Sequence, residues 1–292
     1  MNAPVKVLSY GGGLDSWAML LDAVARGERP DLVIFADVTD AERADPGEWP
    51  GTYEHIRGVA MPLCDREAIE FKWLNTEESP IRGRRSLFRY FEEKRLVPSR
   101  QSRMCTSAAK VERIGRYLDT RFPAPMALEV WIGFEAGEES RAARDPHAAG
   151  RAKGRRINRF PLAERSICRC RAEALARASG YPVPPGSACV FCAFGSRGDL
   201  QTAAREMPAD FARIVALEAN GRTTKKRGRT VRFAGTEDAP PLDEWVRAPF
   251  ARRGKPCGVC GAEVKAAKLV GCEPIPAARP PRQRSLPLAR TA

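Results

Sequence analysis

Val5-Lys-Val-Leu-Ser-Tyr-Gly-Gly-Gly-Leu-Asp-Ser16, continued by Trp17 to Arg26 and then Leu32-Val-Ile-Phe-Ala36, is the stretch on which the fold turns. Val5 to Tyr10 suits a short buried strand, which Gly11, Gly12 and Gly13 then break. Asp15 to Val24 predicts a helix whose apolar face carries Trp17, Leu20, Leu21 and Val24. Gly27 and Pro30 close that helix, and a second strand is expected at Leu32–Ala36. Strand, glycine turn, helix and strand open a βαβ unit. The expected fold is therefore α/β, a doubly wound and mostly parallel sheet.

Outward from this unit, residues 40–52 are turn-rich and read as an active-site loop. Helices are expected at Thr52–Arg57, near Ser86–Lys94, at Ala108–Leu118, over 163–178 and, more weakly, over 199–220. Ala127–Phe134 reads as a third buried strand. From Glu273 the tail holds five prolines and four arginines in twenty residues and is expected to be disordered. This divides the chain into a nucleotide-binding domain over 1–205, a small basic Cys-containing appendage over 206–272 and the tail over 273–292.

Composition narrows the chemistry. The 292 residues include two histidines, His55 and His147, so His triads and multi-His metal centres have almost no material. Nine cysteines without an export signal read as metal ligation or thiol chemistry before disulfides. No run approaches the roughly 18 apolar residues of a membrane helix, and no signal-peptide core precedes the first strand. A cytoplasmic protein without a membrane partner is expected. The net charge of +13 is uneven: residues 1–150 carry −3 and residues 151–292 carry +16. A near-neutral half joined to a basic half suggests a catalytic body beside a polyanion-binding surface, the plain alternative being solvated arginines.

Glycines at a strand-to-helix turn let backbone N–H groups approach a phosphate, and the helix N-terminus adds partial positive charge. Ser16 can donate to a phosphate oxygen, and Asp15 suits Mg²⁺ or fixing of the loop. The Gly-Lys-Ser/Thr ending of a Walker A loop is missing. Ser9-Tyr-Gly-Gly-Gly-Leu-Asp-Ser16 resembles the PP-loop of the ATP-pyrophosphatase and adenine-nucleotide α-hydrolase superfamily, most closely its PAPS reductase-like branch. Gly11 stands where that motif usually has serine. Phe35-Ala-Asp-Val-Thr-Asp40, Arg103-Met-Cys-Thr106 with Lys110, Gly133-Phe-Glu-Ala-Gly-Glu-Glu-Ser-Arg141 and Ser187-Ala-Cys-Val-Phe-Cys192 resemble further segments of the same branch. Coverage runs from about residue 5 to 200.

The resemblance implies a Rossmann-like architecture of the HUP type binding ATP or another adenine nucleotide with Mg²⁺. It implies nucleotide contacts at Ser9, Gly11, Gly12, Gly13, Asp15, Ser16, Asp37 and Lys110, and catalytic roles for Asp15, Ser16, Cys105 and Arg141. It further implies three ligands, Cys105, Cys189 and Cys192, to a [4Fe–4S] cluster, because Met104 replaces the first cysteine of the branch's Cys-Cys pair; Cys168 or Cys170 could complete the set. Zinc or plain structural thiols are the alternative. Many relatives in this branch are phage-encoded, so the expected place is the bacterial host cytoplasm and the expected partners are DNA or tRNA and a sulfur donor. Two alternatives stay open: reduction of a sulfonucleotide to sulfite, although no Glu-Cys-Gly-Leu-His motif occurs, and a non-catalytic nucleic-acid binder.

The remaining cysteines are read from spacing. Cys168 and Cys170 fall in the helix expected over 163–178, where residues two apart point away from each other, so at most one should face a shared site. Cys257-Gly-Val-Cys-Gly261 is a zinc-knuckle turn, and with Cys272 it makes an incomplete three-ligand Zn²⁺ site whose fourth ligand would come from elsewhere in the chain or from a partner chain, the alternative being an unmetallated appendage. Cys64 reads as a small buried hydrophobe. Three arginine-rich clusters stand out, at residues 82–89, 151–159 and 225–232. The second is expected beside the nucleotide pocket, and the third leans toward nucleic acid.

Overall fold

The structure is a computed structural model describing residues 3–40, 45–99, 104–148, 154–221, 232–233, 239–248, 257 and 259–260. Five strands, β1 (Val5–Tyr10), β2 (Leu32–Ala36), β3 (Glu70–Leu74), β4 (Leu128–Ile132) and β5 (Arg156–Arg159), form one sheet in the order β3-β2-β1-β4-β5. Every pairing is parallel, with Val7 opposite both Leu32 and Val130. Side-chain alternation along the strands divides the core between the faces. Leu8, Tyr10, Val33, Phe35 and Trp131 pack against Trp17 and Leu20 of α1 (Leu14–Arg26) and Ala172 and Ala176 of the helix Arg169–Ala178. Val7, Leu32, Ile34 and Val130 pack against Ile114 and Leu118 of the helix Glu112–Arg121. Helices on both faces of a parallel sheet make this the expected doubly wound α/β fold.

Strand order reverses beside β1, since β2 and β3 lie to one side and β4 and β5 to the other. In open α/β sheets that reversal leaves a crevice at the strands' carboxyl ends. The crevice rim is tied by Arg113, whose side chain is fully buried. Its guanidinium donates to the carbonyls of Asp37, Leu74 (3.0 Å), Asn75 (2.7 Å), Ser79 (2.5 Å) and Ala109 (3.0 Å), joining the ends of β2 and β3 to the helix behind them.

Several expected boundaries shift for local reasons. The edge strands β3 and β5 were not expected, because Glu70-Phe-Lys-Trp-Leu74 and Arg156-Ile-Asn-Arg159 are too polar to read as buried strands. The helix expected over 163–178 is two, Pro161–Glu164 and Arg169–Ala178, separated where Ser166 adopts φ 55°. The segment 199–220 is also two, Arg197–Glu206 and Pro208–Asn220, because Pro208 lacks the N–H that would continue the first.

A second apolar core joins Phe88 and Phe91 to Val190, Phe191, Leu200, Ile214, Leu217 and Leu242. The expected boundary at residue 205 falls inside this core, between Leu200 and Ile214. The tail over 273–292 and most of the basic segment beyond residue 221 lie outside the described residues. No helix among the described residues is long and apolar enough to cross a membrane.

Candidate functional site

The glycine turn lies where β1 ends, in the crevice beside β4. Gly12 has φ 74°, and a Cβ there would also collide with Thr52. At Gly13 the backbone is ordinary but the space is not, since a Cβ would run into the Ser187 hydroxyl. Gly133, just past β4, is confined less severely: its Cβ would lie 3.2 Å from the Ser16 nitrogen. Ser16 closes the turn on itself. Its Oγ accepts from Gly11 N at 3.1 Å and donates to Gly13 O at 3.0 Å. No side chain caps the start of α1. The first turn of a helix has N–H groups without intrahelical acceptors, so this end suits an anion. Ser9 stands on β1 between Ile34 and Ile132.

Charged groups gather around this turn. The Asp15 carboxylate receives both bonds of the Arg169 guanidinium, at 2.7 and 2.8 Å. Burial nevertheless raises the Asp15 pKa, with Arg169 opposing the shift. Glu135 is pushed up to about 7, first by burial and then by Asp15, and its Oε2 is buried without a hydrogen-bond partner. Arg141 pairs with Glu138 and lies over the Phe134 ring, 4.3 Å from its centroid. Arg169 and Glu135 were not singled out from sequence. Arg169 is hidden between two cysteines, whereas Glu135 lies inside the glycine–acid–arginine segment.

Asp37 is placed at the end of β2 and is buried, but its carboxylate is already engaged. It accepts from Val38 N (2.7 Å), Thr39 N (3.3 Å), Tyr53 OH (2.7 Å) and Trp73 Nε1 (3.1 Å). Burial raises its pKa against these bonds. What the geometry displays is a carboxylate that fixes the β2 exit and two aromatic rings, rather than one open to a cation.

Two cysteine groups are present. In the first, the loop expected to border the active site contributes Glu48, which bridges to Cys189 as a short antiparallel pair, with Trp49 N bonded to Ala188 O and Val190 N to Gly47 O. The buried Glu48 carboxylate receives Lys110 Nζ at 3.1 Å, and its charge holds the Lys110 pKa above the ordinary range. Cys105, Cys189 and Cys192 are close enough to influence one another electrostatically. Burial pushes the Cys189 thiol well up and Cys192 up as well. Their sulfurs are not gathered to the separation of a single-ion site.

In the second group, Cys168, Cys170, Cys257 and Cys260 place four sulfurs within 4.8 Å of one another, and this set can hold a metal ion. This corrects the expectation that at most one of Cys168 and Cys170 faces a shared site. Cys168 is the extended N-cap residue (φ −81°, ψ 172°) and only Cys170 is helical, so the opposed directions of a continuous helix do not apply. The pair supplies the ligands that the Cys257–Cys260 knuckle lacked. Cys272 lies outside the described residues. Cys64 is fully buried, as expected.

The basic clusters are largely neutralised where they are described. Arg82, Arg84, Arg85 and Arg89 pair with Glu112, Glu93, Glu77 and Asp45. Arg155 and Arg156 lie at the start of β5, opposite Leu128, at the sheet end away from the glycine turn. The expectation that the second cluster borders the pocket therefore fails for these two, because a strand carries its first residues to the opposite edge. Residues 151–153 and 225–229 lie outside the described residues. Comparison with known proteins gives no matching family model and no matching curated protein.

Proposed function

We propose that the chain is a PAPS reductase-like PP-loop enzyme that activates its substrate with ATP and transfers sulfur to a nucleic acid or nucleotide. The observation that carries this reading is the glycine turn, with no room for a Cβ at Gly12 or Gly13, at the start of an uncapped helix and at the strand-order reversal of a parallel sheet. The backbone of Gly11–Gly13 cradles the phosphates, and the Ser16 hydroxyl would turn from Gly13 O to donate to one of their oxygens. Asp15 is gripped by Arg169 and Asp37 holds four donors, so these carboxylates fix the loops around the nucleotide, and Mg²⁺ would enter with its phosphates. A substrate oxygen attacks the α-phosphate and pyrophosphate leaves. Sulfide-level sulfur then attacks the substrate atom that bears the adenylated oxygen, and AMP leaves carrying that oxygen.

Cys105, Cys189 and Cys192 are assigned to the sulfur chemistry. Their neighbour Lys110 holds positive charge in a buried setting, which suits an anionic sulfur species or an iron–sulfur cluster. If a [4Fe–4S] cluster binds, these three would hold it, and its chemistry would be sulfur delivery or electron transfer. The basic residues beyond 150 are assigned to the nucleic acid backbone.

The test is release of pyrophosphate from ATP with and without DNA or tRNA, alongside transfer of labelled sulfur. Release that depends on a nucleic acid and on Ser16 supports the reading. Sulfite production from a sulfonucleotide would replace it with reduction. Salt-sensitive nucleic acid binding with no turnover would leave only a binder.

A further inference from the structure

We infer that Cys168, Cys170, Cys257 and Cys260 hold one tetrahedral zinc ion, and that this ion stations Arg169 against Asp15 of the glycine turn. A zinc–sulfur bond of about 2.3 Å places the four sulfurs of a tetrahedral site roughly 3.8 Å apart. All four sulfurs lie within 4.8 Å of one another, so a single ion draws them in with small side-chain adjustments. A cubane cluster ligates each cysteine through a different iron and needs a wider set. Four thiolates are a soft donor set, which excludes Mg²⁺ and Ca²⁺ and suits zinc, with a single iron as the competitor that the metal analysis below distinguishes.

The surroundings suit a buried tetrathiolate. Cys168, Cys170 and Cys257 are each at most 9 % exposed, and none of the four closes a disulfide. Cys168 sits at the N-cap of the ten-residue helix Arg169–Ala178, where the helix N-terminus offsets the negative charge of the sulfurs.

The ion would do more than close a knuckle. Arg169 lies between two of the ligands, and its side chain reaches out of the cluster to grip Asp15 with both bonds. Ala136 packs in the same small cluster, its N–H bonded to Ile167 O at 2.9 Å. Between the other two ligands, Val259 Cγ2 lies 3.1 Å from where a Gly137 Cβ would be. One ion thereby ties the C-terminal knuckle, the start of the helix that carries Arg169 and the loop that carries Glu135 and Glu138. The helix start and the loop both meet the glycine turn at Asp15. The positioning of Arg169 matters to catalysis only through the nucleotide reading above, whereas the zinc site stands without it.

Metal analysis of the full chain is expected to give about one zinc per chain at this site, retained in Cys105→Ser and Cys189→Ser and lost in the double variant Cys170→Ser/Cys257→Ser. Cobalt replacement should give the intense visible bands of a tetrahedral tetrathiolate. Cys257→His keeps a zinc ligand and should keep the ion, which covers the case in which the serine pair does not fold. Removing the ion by chelation should speed amide exchange at residues 13–17 and 134–141 about tenfold while leaving the helix Pro208–Asn220 unchanged. Absence of zinc, iron in its place, or zinc that survives the Cys170/Cys257 double variant overturns the site. Unchanged exchange at residues 13–17 overturns the positioning of Arg169. None of these readouts uses nucleotide, so a zinc-loaded chain that fails to bind ATP refutes the proposed function and leaves the zinc site in place.

Discussion

Cys168, Cys170, Cys257 and Cys260 close to within 4.8 Å of one another, whereas Cys105, Cys189 and Cys192 stand around the ion pair of half-buried Lys110 and buried Glu48 without reaching that separation. The first group has donors matched to one ion and flanking arginines on the same helix. The second has a cation at hand, a buried acid and three thiols that feel one another's charge. The same side chain thus serves two ends, and what separates them is the distance between sulfurs and the charge beside them. Both groups also touch the glycine turn, one through Arg169 on Asp15 and the other through Ser187 packed over Gly13.

If the division is right, the largest effect should come from Cys189→Ser/Cys192→Ser. Sulfur transfer should fall to background while zinc content and pyrophosphate release persist. Loss of zinc in this variant would show that the two groups are not separate.

Next in size is Lys110→Met. It leaves the Glu48 carboxylate buried without its cation, which should cost about 3 kcal/mol of stability. A urea midpoint measures this, and adding Glu48→Gln should recover part of the loss. A neutral result would mean that water reaches Glu48 and that the pocket is not the closed environment described.

Gly13→Ala should weaken ATP binding about tenfold, or ~1.4 kcal/mol, by pressing on Ser187 and through it on Cys189. Adding Ser187→Gly removes the obstructing hydroxymethyl group and should restore affinity in a titration. Failure of that rescue would uncouple the turn from the second cysteine group.

The smallest effect is a pH dependence at the first group's side of the turn. Glu135 has its pKa raised to about 7, so it is neutral below that pH and anionic above it. Binding of an anion at the turn should therefore weaken several-fold as pH rises through about 7, since the added carboxylate charge repels it. The sign for folding is the same: stability is lost between the ordinary glutamate range and about pH 7, as the unfolded chain ionises first. Binding measured across this range should flatten in Glu135→Gln.

How much of this was legible in sequence differs by element. β1, α1 and β2 could be read directly because β2 is apolar throughout, β1 is apolar but for Lys6 and Ser9, and the helix beside them has a clear apolar face. β3 and β5 could not, since edge strands tolerate Glu70, Lys72, Arg156 and Arg159. Ser16 and Asp15 were visible from the glycine pattern, but their partners were not. Arg169 is 154 residues from Asp15, and no local periodicity links the two. Glu48, 62 residues from Lys110, looked like one more residue of a turn-rich loop.

The sequence by itself determined the doubly wound α/β class, the turn at Gly11–Gly13 and the supply of cysteines at short spacings, because hydrophobic periodicity and glycine's tolerance of φ 74° at Gly12 are local properties. Only the tertiary structure decided which sulfurs meet. A break at Ser166 frees Cys168 from the helix, and chain crossing brings it to a knuckle that begins at residue 257. Local pattern specifies which groups a segment can offer. The distances that turn those groups into a site depend on where the packed core carries each segment.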